Sequence, residues 1–249
     1  MKTLFLFLTT SLFLQITNAQ EKPSQRGEIR FGALPSIQSY SLSGTGFQAS
    51  NGSSSGNGTS VGLTWMRELS AITLDYQNLL YAVTPPSDLT PTKIDSRFTR
   101  GILAYERLRT KQDSSRIFNY FVALEYRDHK ADTTTPNVFM PTRTEGGVTV
   151  GLTYSKQLDE IFQLSANAGL FIPLFMNEAS DKTGYYKTSI NPDIGFRFVY
   201  HVNHFIDFSV GAQVFYSQII YTGTGERGVT DAKESSTNVI APVELRFKF

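Results

Sequence analysis

The residues best suited to acid–base chemistry are the three histidines, His129, His201 and His204. His129 stands between Asp128 and Lys130, and an Asp–His pair can orient a general base, as a hydrolase requires. The sequence has no second acidic pair at a comparable position, so catalysis by His129 is an alternative hypothesis rather than the leading one. His201 and His204 flank a short turn, and we interpret them as turn residues.

Metal and cofactor chemistry has little support in the sequence. The chain contains no cysteine, which removes disulfides and zinc–thiolate sites. It has no His-x-x-x-His pair and no acidic repeat with the ligand spacing of a calcium loop. The glycine-rich stretches 44–46 and 223–225 are not followed by a helical pattern, so they do not predict phosphate-binding loops. We therefore expect no metal, no cofactor and no catalytic residue.

The amino terminus has the three parts of a signal peptide. Lys2 supplies a positive start, an uncharged apolar run extends to Ile16, and small residues at Thr17 and Ala19 fit a cleavage site. The apolar run is too short to span a membrane comfortably as an uncleaved anchor. We therefore predict a cleaved signal peptide at 1–19, export from the cytoplasm, and a single domain at 20–249.

Charge and hydropathy restrict the class of protein further. A net charge of +1 over 249 residues argues against a nucleic-acid partner held by bulk electrostatics. The mean hydropathy is −0.19, and no later segment has the roughly eighteen apolar residues of a membrane helix. Barrel strands bury only alternate residues in lipid, so a low mean hydropathy is compatible with a membrane barrel.

A two-residue alternation of apolar and polar side chains is the clearest structural pattern. In 238–249 apolar residues occupy every second position from Val239 to Phe249, while Glu244, Arg246 and Lys248 occupy the opposite face. The same alternation predicts ten strands in all, with eight or twelve as alternatives because the first strand is poorly bounded. The predicted strands cover 28–40, 59–68, 71–83, 95–108, 116–127, 148–155, 162–170, 194–201, 206–216 and 238–249.

The connections between these strands alternate in length. Long polar connections lie at 41–58, 84–94, 128–144, 173–187 and 221–237, and short ones at 69–70, 109–115, 157–160 and 202–204. Membrane barrels have long loops at one end and short turns at the other, whereas a soluble sandwich has no reason to sort its loops in this way. We therefore predict an all-β, antiparallel up-and-down transmembrane β-barrel, with a bulge or register change near Asn78.

The chain resembles Gram-negative outer-membrane β-barrel proteins in its alternation, its loop lengths and its terminal aromatic residue. The resemblance covers essentially all of the mature chain, but no motif assigns a particular family, and it suggests one without an assigned function. In such proteins the closing strand carries a signal for the assembly machinery, which the resemblance places at Phe247 and Phe249. It also implies contact with outer-membrane lipid and lipopolysaccharide, and leaves the oligomeric state open. The motifs of omptin-like barrel proteases are absent.

The second face of the predicted strands carries charges of both signs. Buried charges must be paired or hydrated, and a ten-stranded barrel is only slightly wider than one that side chains can fill. We therefore expect salt bridges across a narrow lumen, although the same lining could form a conduit for small polar solutes. The predicted lumen charge network comprises Arg30, Asp75, Arg100, Glu106, Glu125, Arg127, Arg197, Asp207, Glu244 and Arg246.

Three functions remain open on the sequence alone. The leading hypothesis is a non-enzymatic outer-membrane barrel, either structural or a narrow passive channel. The second is a hydrolase at the barrel rim that uses His129. The third is a surface-binding or adhesion barrel that acts through its long outer loops.

Overall fold

The computed structural model describes residues 27–51, 53–67, 70–84, 93–107, 116–132, 140–178 and 183–249. The predicted signal peptide at 1–19 lies outside these residues. So do most of the predicted connections at 69–70, 84–94 and 109–115.

Thirteen antiparallel strands make up a single sheet. Their bounds are β1 Gly27–Ala33, β2 Ser36–Gly44, β3 Phe47–Ser50, β4 Ser54–Arg67, β5 Ser70–Val83, β6 Ile94–Arg107, β7 Arg116–Asp132, β8 Arg143–Gln157, β9 Phe162–Glu178, β10 Tyr185–His201, β11 Ile206–Thr222, β12 Lys233–Ile240 and β13 Val243–Lys248.

The sheet closes into a ring because the first and last strands pair with each other. β1 pairs with β13 on one side and with β4 on the other, and β11 joins β10 to β13. At the closure, the amide of Gly27 donates to the carbonyl of Phe249 at 3.0 Å, and the amide of Phe249 donates back at 3.1 Å. The closed ring confirms the predicted barrel and excludes the two-sheet sandwich.

Two of the barrel strands are each interrupted once by proline. β1 and β2 are separated at Leu34–Pro35, and β12 and β13 at Ala241–Pro242. Proline has no amide hydrogen to donate to a ladder, so a strand breaks or bends where it occurs. β3 pairs with β2 beyond the short ladder between β2 and β4, so we count it as a continuation of β4. With each interrupted strand counted once, the ring has ten strands, as predicted.

Most strands are longer than predicted at the end of the barrel opposite the chain termini, which we call the loop end. Much of the predicted loop 41–58 belongs to β2, β3 and β4, and similar extensions shorten the predicted loops 128–144, 173–187 and 221–237. In these extensions both faces of a strand can be polar, as in Ser54–Thr59 of β4. The backbone ladder continues where the alternation of side chains has ended, so alternation alone underestimates the strand length.

The prediction of a bulge or register change near Asn78 is wrong. β5 pairs in an unbroken register with β4 and with β6 through Asn78. Beyond this residue the inward positions become apolar, at Leu79, Tyr81 and Val83, while the outward Leu80 remains 44% exposed. The alternation seemed to fail in the sequence because both faces are apolar there, and the backbone itself does not shift.

The exterior of the barrel carries a band of exposed apolar side chains. On β7, Phe118, Tyr120, Val122, Leu124 and Tyr126 all point outward, and Leu124 is 61% exposed. Beyond Tyr126 the outward residues of this strand are Asp128 and Lys130, so the band ends there. An apolar exterior flanked by aromatic and then polar residues is what contact with lipid requires.

Aromatic residues also border the band at the end that holds the chain termini, which we call the terminal end. The rings of Trp65 and Phe249 meet edge to face, with their centroids 6.4 Å apart. None of the described residues belongs to a helix long and apolar enough to cross a membrane.

Replacing an outward residue in the middle of the band should lower stability through contact with lipid. We expect Leu124→Arg to reduce the free energy of unfolding in lipid vesicles by about 2–4 kcal/mol, because a guanidinium group would enter the hydrocarbon. Ala82→Arg, at an exposed outward position of β5 near the loop end, is the matched control and should cost about 0–1 kcal/mol. Equal losses in guanidinium titrations of the two variants would contradict the placement of the lipid band.

Candidate functional site

The candidate site is the lumen, where three groups of charged side chains lie at different levels. The sequence predicted ten lumen charges as one network, whereas the structure places them at different levels of the barrel. Three belong to a mid-barrel cluster, five to a cluster near the terminal end, and Glu106 and Asp207 make separate contacts. A third cluster near the loop end contains none of the ten.

The mid-barrel cluster consists of Arg100, Glu125, Arg127 and Asp193. Arg100 donates to both carboxylate oxygens of Glu125, at 2.6 and 3.0 Å, and to Asp193 at 2.9 Å. Arg127 donates from Nε to Glu125 at 2.6 Å. All four residues are at most 5% exposed, so two cations and two anions neutralise each other out of contact with water.

Aromatic rings complete the mid-barrel cluster. The guanidinium of Arg100 lies 4.3 Å from the ring centroid of Phe215, and that of Arg127 lies 4.0 Å from the ring of Phe171. Phe215 in turn lies 6.3 Å from Phe98, centroid to centroid. Cation–π contact stabilises a buried guanidinium, and the rings occupy the space between opposite walls of the barrel.

The terminal-end cluster joins the two strands that close the barrel, because Glu28 of β1 lies 3.5 Å from Arg30 and 3.9 Å from Arg246 of β13. Arg30 of β1 contacts Asp75 at 2.5 Å, and Glu244 of β13 contacts Arg197 at 3.2 Å and Arg246 at 3.3 Å. The side chains of Asp75 and Arg197 are 29% and 26% exposed. This part of the lumen is therefore open to water, unlike the mid-barrel cluster.

The last two predicted charges contact groups outside these clusters. Glu106 accepts hydrogen bonds from the Asn119 amide at 2.8 Å and from the hydroxyl of Thr153. Asp207 contacts Lys248 at 2.7 Å and the Nδ1 atom of His201 at 2.9 Å. The ten predicted residues are thus distributed along the height of the barrel.

The loop-end cluster was missed because its residues lie in segments predicted to be loops, except Glu145, which falls between the predicted loop 128–144 and the predicted strand 148–155. Arg143 contacts Glu145 at 2.5 Å and Glu234 at 2.6 Å, and all three are at most 2% exposed. The Tyr221 hydroxyl donates to Glu178 at 2.9 Å. Arg143 and Glu145 are two residues apart, which is the spacing of neighbours on one face of a strand. This spacing was the only indication in the sequence that the two side chains could pair.

Apolar side chains fill the inward face around the loop-end cluster. Sixteen buried residues form this apolar core: Leu34, Tyr40, Leu42, Ala49, Leu79, Tyr81, Val83, Ile94, Phe98, Met140, Phe215, Ile219, Tyr221, Val229, Ala232 and Ile240. A membrane barrel usually has a polar interior. Here the interior of the loop half resembles the core of a soluble protein.

The connection 223–232 closes the apolar core from above, and we call it the cap. Val229 and Ala232 of the cap are 2% and 0% exposed. The cap turns back on itself through left-handed backbone at Gly223, Gly228 and Asp231, with φ of 76°, 75° and 50°. Its fold over the barrel mouth explains why the predicted loop 221–237 does not extend freely into solvent.

The proposed catalytic pair at the rim is not assembled. Asp128 and His129 are consecutive in β7 and therefore point to opposite faces. Asp128 contacts Lys130 at 3.2 Å on the outside, whereas the His129 ring packs against Phe98 with centroids 4.6 Å apart. Among the described residues, His129 has no carboxylate partner and no group of three potential metal ligands is present.

The predicted turn histidines both lie at the terminal end. His201 is the last residue of β10 and contacts Asp207, while His204 packs against Phe205 with ring centroids 4.4 Å apart. Both positions are at the opposite end of the barrel from His129.

No family model and no curated protein matches the sequence. Among solved structures, the outer membrane protease OmpT from Escherichia coli is 9% identical, with 94% of this chain and 99% of that chain covered and a TM-score of 0.49. The outer membrane protein OprG from Pseudomonas aeruginosa is 12% identical, with 90% and 96% covered and a TM-score of 0.41. The P. putida toluene transporter TodX is 8% identical, with 91% of each chain covered and a TM-score of 0.36. At these identities the likeness concerns the fold alone.

Removing the central carboxylate should destabilise the barrel strongly. Glu125→Gln leaves Arg100 and Arg127 with Asp193 as the one remaining carboxylate of the cluster, so we expect a loss of about 3–5 kcal/mol in the free energy of unfolding. Asp128→Asn, on the outer face of the same strand, is the matched control. It breaks a contact with Lys130, whose side chain is 59% exposed, and should cost less than about 1 kcal/mol. Similar losses in vesicle unfolding titrations would show that the cluster is not a tightly buried ion group.

Proposed function

We propose that this chain is an integral outer-membrane barrel without enzymatic activity, and that its lumen is sealed in the resting state. In this proposal it has a structural role: the barrel anchors a folded loop end above the membrane surface and does not serve as a passive pore. The observation that carries the proposal is the filling of the lumen by the mid-barrel cluster and the apolar core.

Burial of the inward side chains supports a sealed lumen. Side chains that line a water-filled channel are exposed to the water in it, as Asp75 and Arg197 are near the terminal end. From the mid-barrel cluster to the cap, inward residues such as Arg100, Leu79 and Ile219 are at most 2% exposed. Passage of a solute would require both the ion pairs and the apolar core to separate.

The absence of an acid–base pair at His129 supports a non-enzymatic role. A general base of the predicted kind needs a carboxylate within hydrogen-bonding distance. His129 has a phenyl ring beside it instead, and its chain neighbour Asp128 lies on the outer face.

The apolar band and the closing strand support the partners that we propose. Outer-membrane lipid and lipopolysaccharide would contact the exterior, with the loop end outside the cell and the terminal end in the periplasm. Phe247 and Phe249, at the terminal end of β13, would form the signal that the assembly machinery reads. The signal peptide at 1–19 would be removed during export.

Conductance measurements test the sealed lumen. We expect the refolded protein to show no steady conductance in planar lipid bilayers, because Phe215 contacts both Phe98 and Arg100 across the lumen. A triple variant, Phe98→Ala/Arg100→Ala/Phe215→Ala, removes this stack while Glu125 keeps Arg127 as its partner. Because the rest of the apolar core and the cap remain, this variant should show brief openings to small ions and no steady conductance. Heat-modifiable migration in detergent gels verifies that both proteins are folded, and steady conductance by the unaltered protein would refute the proposal.

A further inference from the structure

The wall of the barrel is split between β9 and β10 at the loop end. The two strands pair from Phe162 and Tyr200 as far as Phe171 and Asn191. Beyond that level β9 continues to Glu178 paired with β8 alone, and β10 begins at Tyr185 paired with β11 alone. The described segments 172–178 and 185–190 are thus adjacent in the ring but share no ladder.

The sequence explains why pairing stops at this level. Pro173 and Pro192 lack amide hydrogens, and each lies within two residues of the last paired position. The ladders on either side of the gap are irregular too. The register shifts between Gly146 and Gly147 opposite β9, and between Tyr186 and Thr188 in β10. Such bulges bend the strand and disrupt its ladder locally, so both strands that border the gap are irregular at this level.

Aromatic side chains on the two edges lie away from the gap. A Cβ atom at Gly146 would lie 2.1 Å from the ring of Phe175, so this ring covers β8. A Cβ atom at Gly223 would lie 3.5 Å from the ring of Tyr185, so that ring covers the start of the cap. The rings of Phe175 and Tyr185 therefore do not fill the gap between the described ends of the two strands.

A cavity of about 400 Å³ occupies the space between the two edges, beneath the cap. Met176 and Glu178 line it from β9, Tyr185 and Tyr186 from β10, and Tyr221 from β11. This volume is within the range of small-molecule sites, which combine apolar walls with a few polar groups.

The chemistry of the cavity favours a cation. Glu178 accepts hydrogen bonds from the Thr183 amide at 2.7 Å, the Thr183 hydroxyl at 2.9 Å and the Tyr221 hydroxyl at 2.9 Å. The three donors are uncharged groups, and among the described residues Glu178 forms no ion pair. The buried Arg227 guanidinium donates to the Thr183 hydroxyl at 3.1 Å. A carboxylate beside tyrosine faces is the combination that recognises an ammonium group.

The outer borders of the gap favour an apolar tail. Leu174 and Phe175 on β9 are 72% and 56% exposed, and Ile190 on β10 is 56% exposed. They lie just outside the cavity on the face that continues the lipid band. An alkyl chain placed there would remain in an apolar environment while its head reached Glu178.

We propose that the gap between β9 and β10 is a lateral binding site for an amphipathic organic cation, with its ammonium head at Glu178 and its alkyl chain along the outer wall. The site is reached from the membrane side and does not require an open lumen. It is therefore independent of the sealed lumen proposed above, and each can fail without the other.

Cysteine substitution tests the site directly, because the chain contains no cysteine of its own. Met176→Cys introduces a thiol in the cavity, and a membrane-soluble maleimide should alkylate it in phosphatidylglycerol nanodiscs, whose lipid has no ammonium group to occupy the site. Two controls bracket this result. Leu174→Cys, on the exposed exterior, should react readily, and Ala123→Cys, inside the filled lumen at 2% exposure, should not react.

Protection of the thiol identifies the ligand class. Dodecyltrimethylammonium should slow alkylation of M176C, whereas dodecyl maltoside, with the same alkyl chain and an uncharged head, should not. Neither detergent should protect L174C. Adding Glu178→Gln to M176C should raise the half-protecting concentration of dodecyltrimethylammonium about tenfold. Asp128→Asn, which removes a carboxylate elsewhere, should leave that concentration unchanged.

Three results would overturn the proposal. They are an M176C thiol as unreactive as that of A123C, equal protection by the two detergents, and a half-protecting concentration that Glu178→Gln leaves unchanged. Conductance by the unaltered protein would refute the sealed lumen but would leave these measurements unaffected. Heat-modifiable migration identifies any variant that has not folded. If M176C does not fold, Met176→Ser replaces it, and calorimetry then measures the binding of the two detergents.

Discussion

The fold depends on one constraint: backbone amides and carbonyls that face lipid must find partners within the protein. A sheet meets this constraint only by closing, and here the closure pairs β1 with β13. The same constraint explains the position of the irregularities. The split between β9 and β10, where backbone groups lose their partners, is confined to the loop end and lies beside a cavity rather than in the middle of the apolar band.

The interior of the barrel must exclude water, and it does so in two different ways. In the middle of the barrel, charges are retained and neutralised, with Glu125 shared by Arg100 and Arg127. Nearer the loop end, apolar side chains replace most of the charges and pack as they would in a soluble core. Both arrangements exclude water, but they differ in how well they tolerate substitutions. An apolar core adapts to small changes of volume, whereas removal of one charge leaves its partners unpaired at a much larger energetic cost.

The sequence predicted the part of the barrel that lies in lipid better than the part beyond it. On β7 the apolar alternation from Phe118 to Tyr126 predicted both the strand and its outward face. Beyond Tyr126, lipid no longer selects apolar residues for the outer face, so the strand continues to Asp132 without a recognisable pattern. Arg143, Glu145 and Glu234 escaped prediction for that reason. The split at β9 and β10 could not be predicted either, because proline indicates where a ladder is weak but not which neighbour is lost.

The paired interruptions at Pro35 and Pro242 have a consequence for the cooperativity of the barrel. They lie on adjacent strands at the same level, where the amide of Ala241 donates to the carbonyl of Pro35 at 2.8 Å. The first and last strands of the ring are therefore joined by two short ladders, six residue pairs between β1 and β13 and eight between β2 and β12. Each proline removes one amide donor at this level, so the bond from Ala241 to Pro35 is the link between the two ladders. We expect an opening that starts in one ladder to stop at this link before it reaches the other.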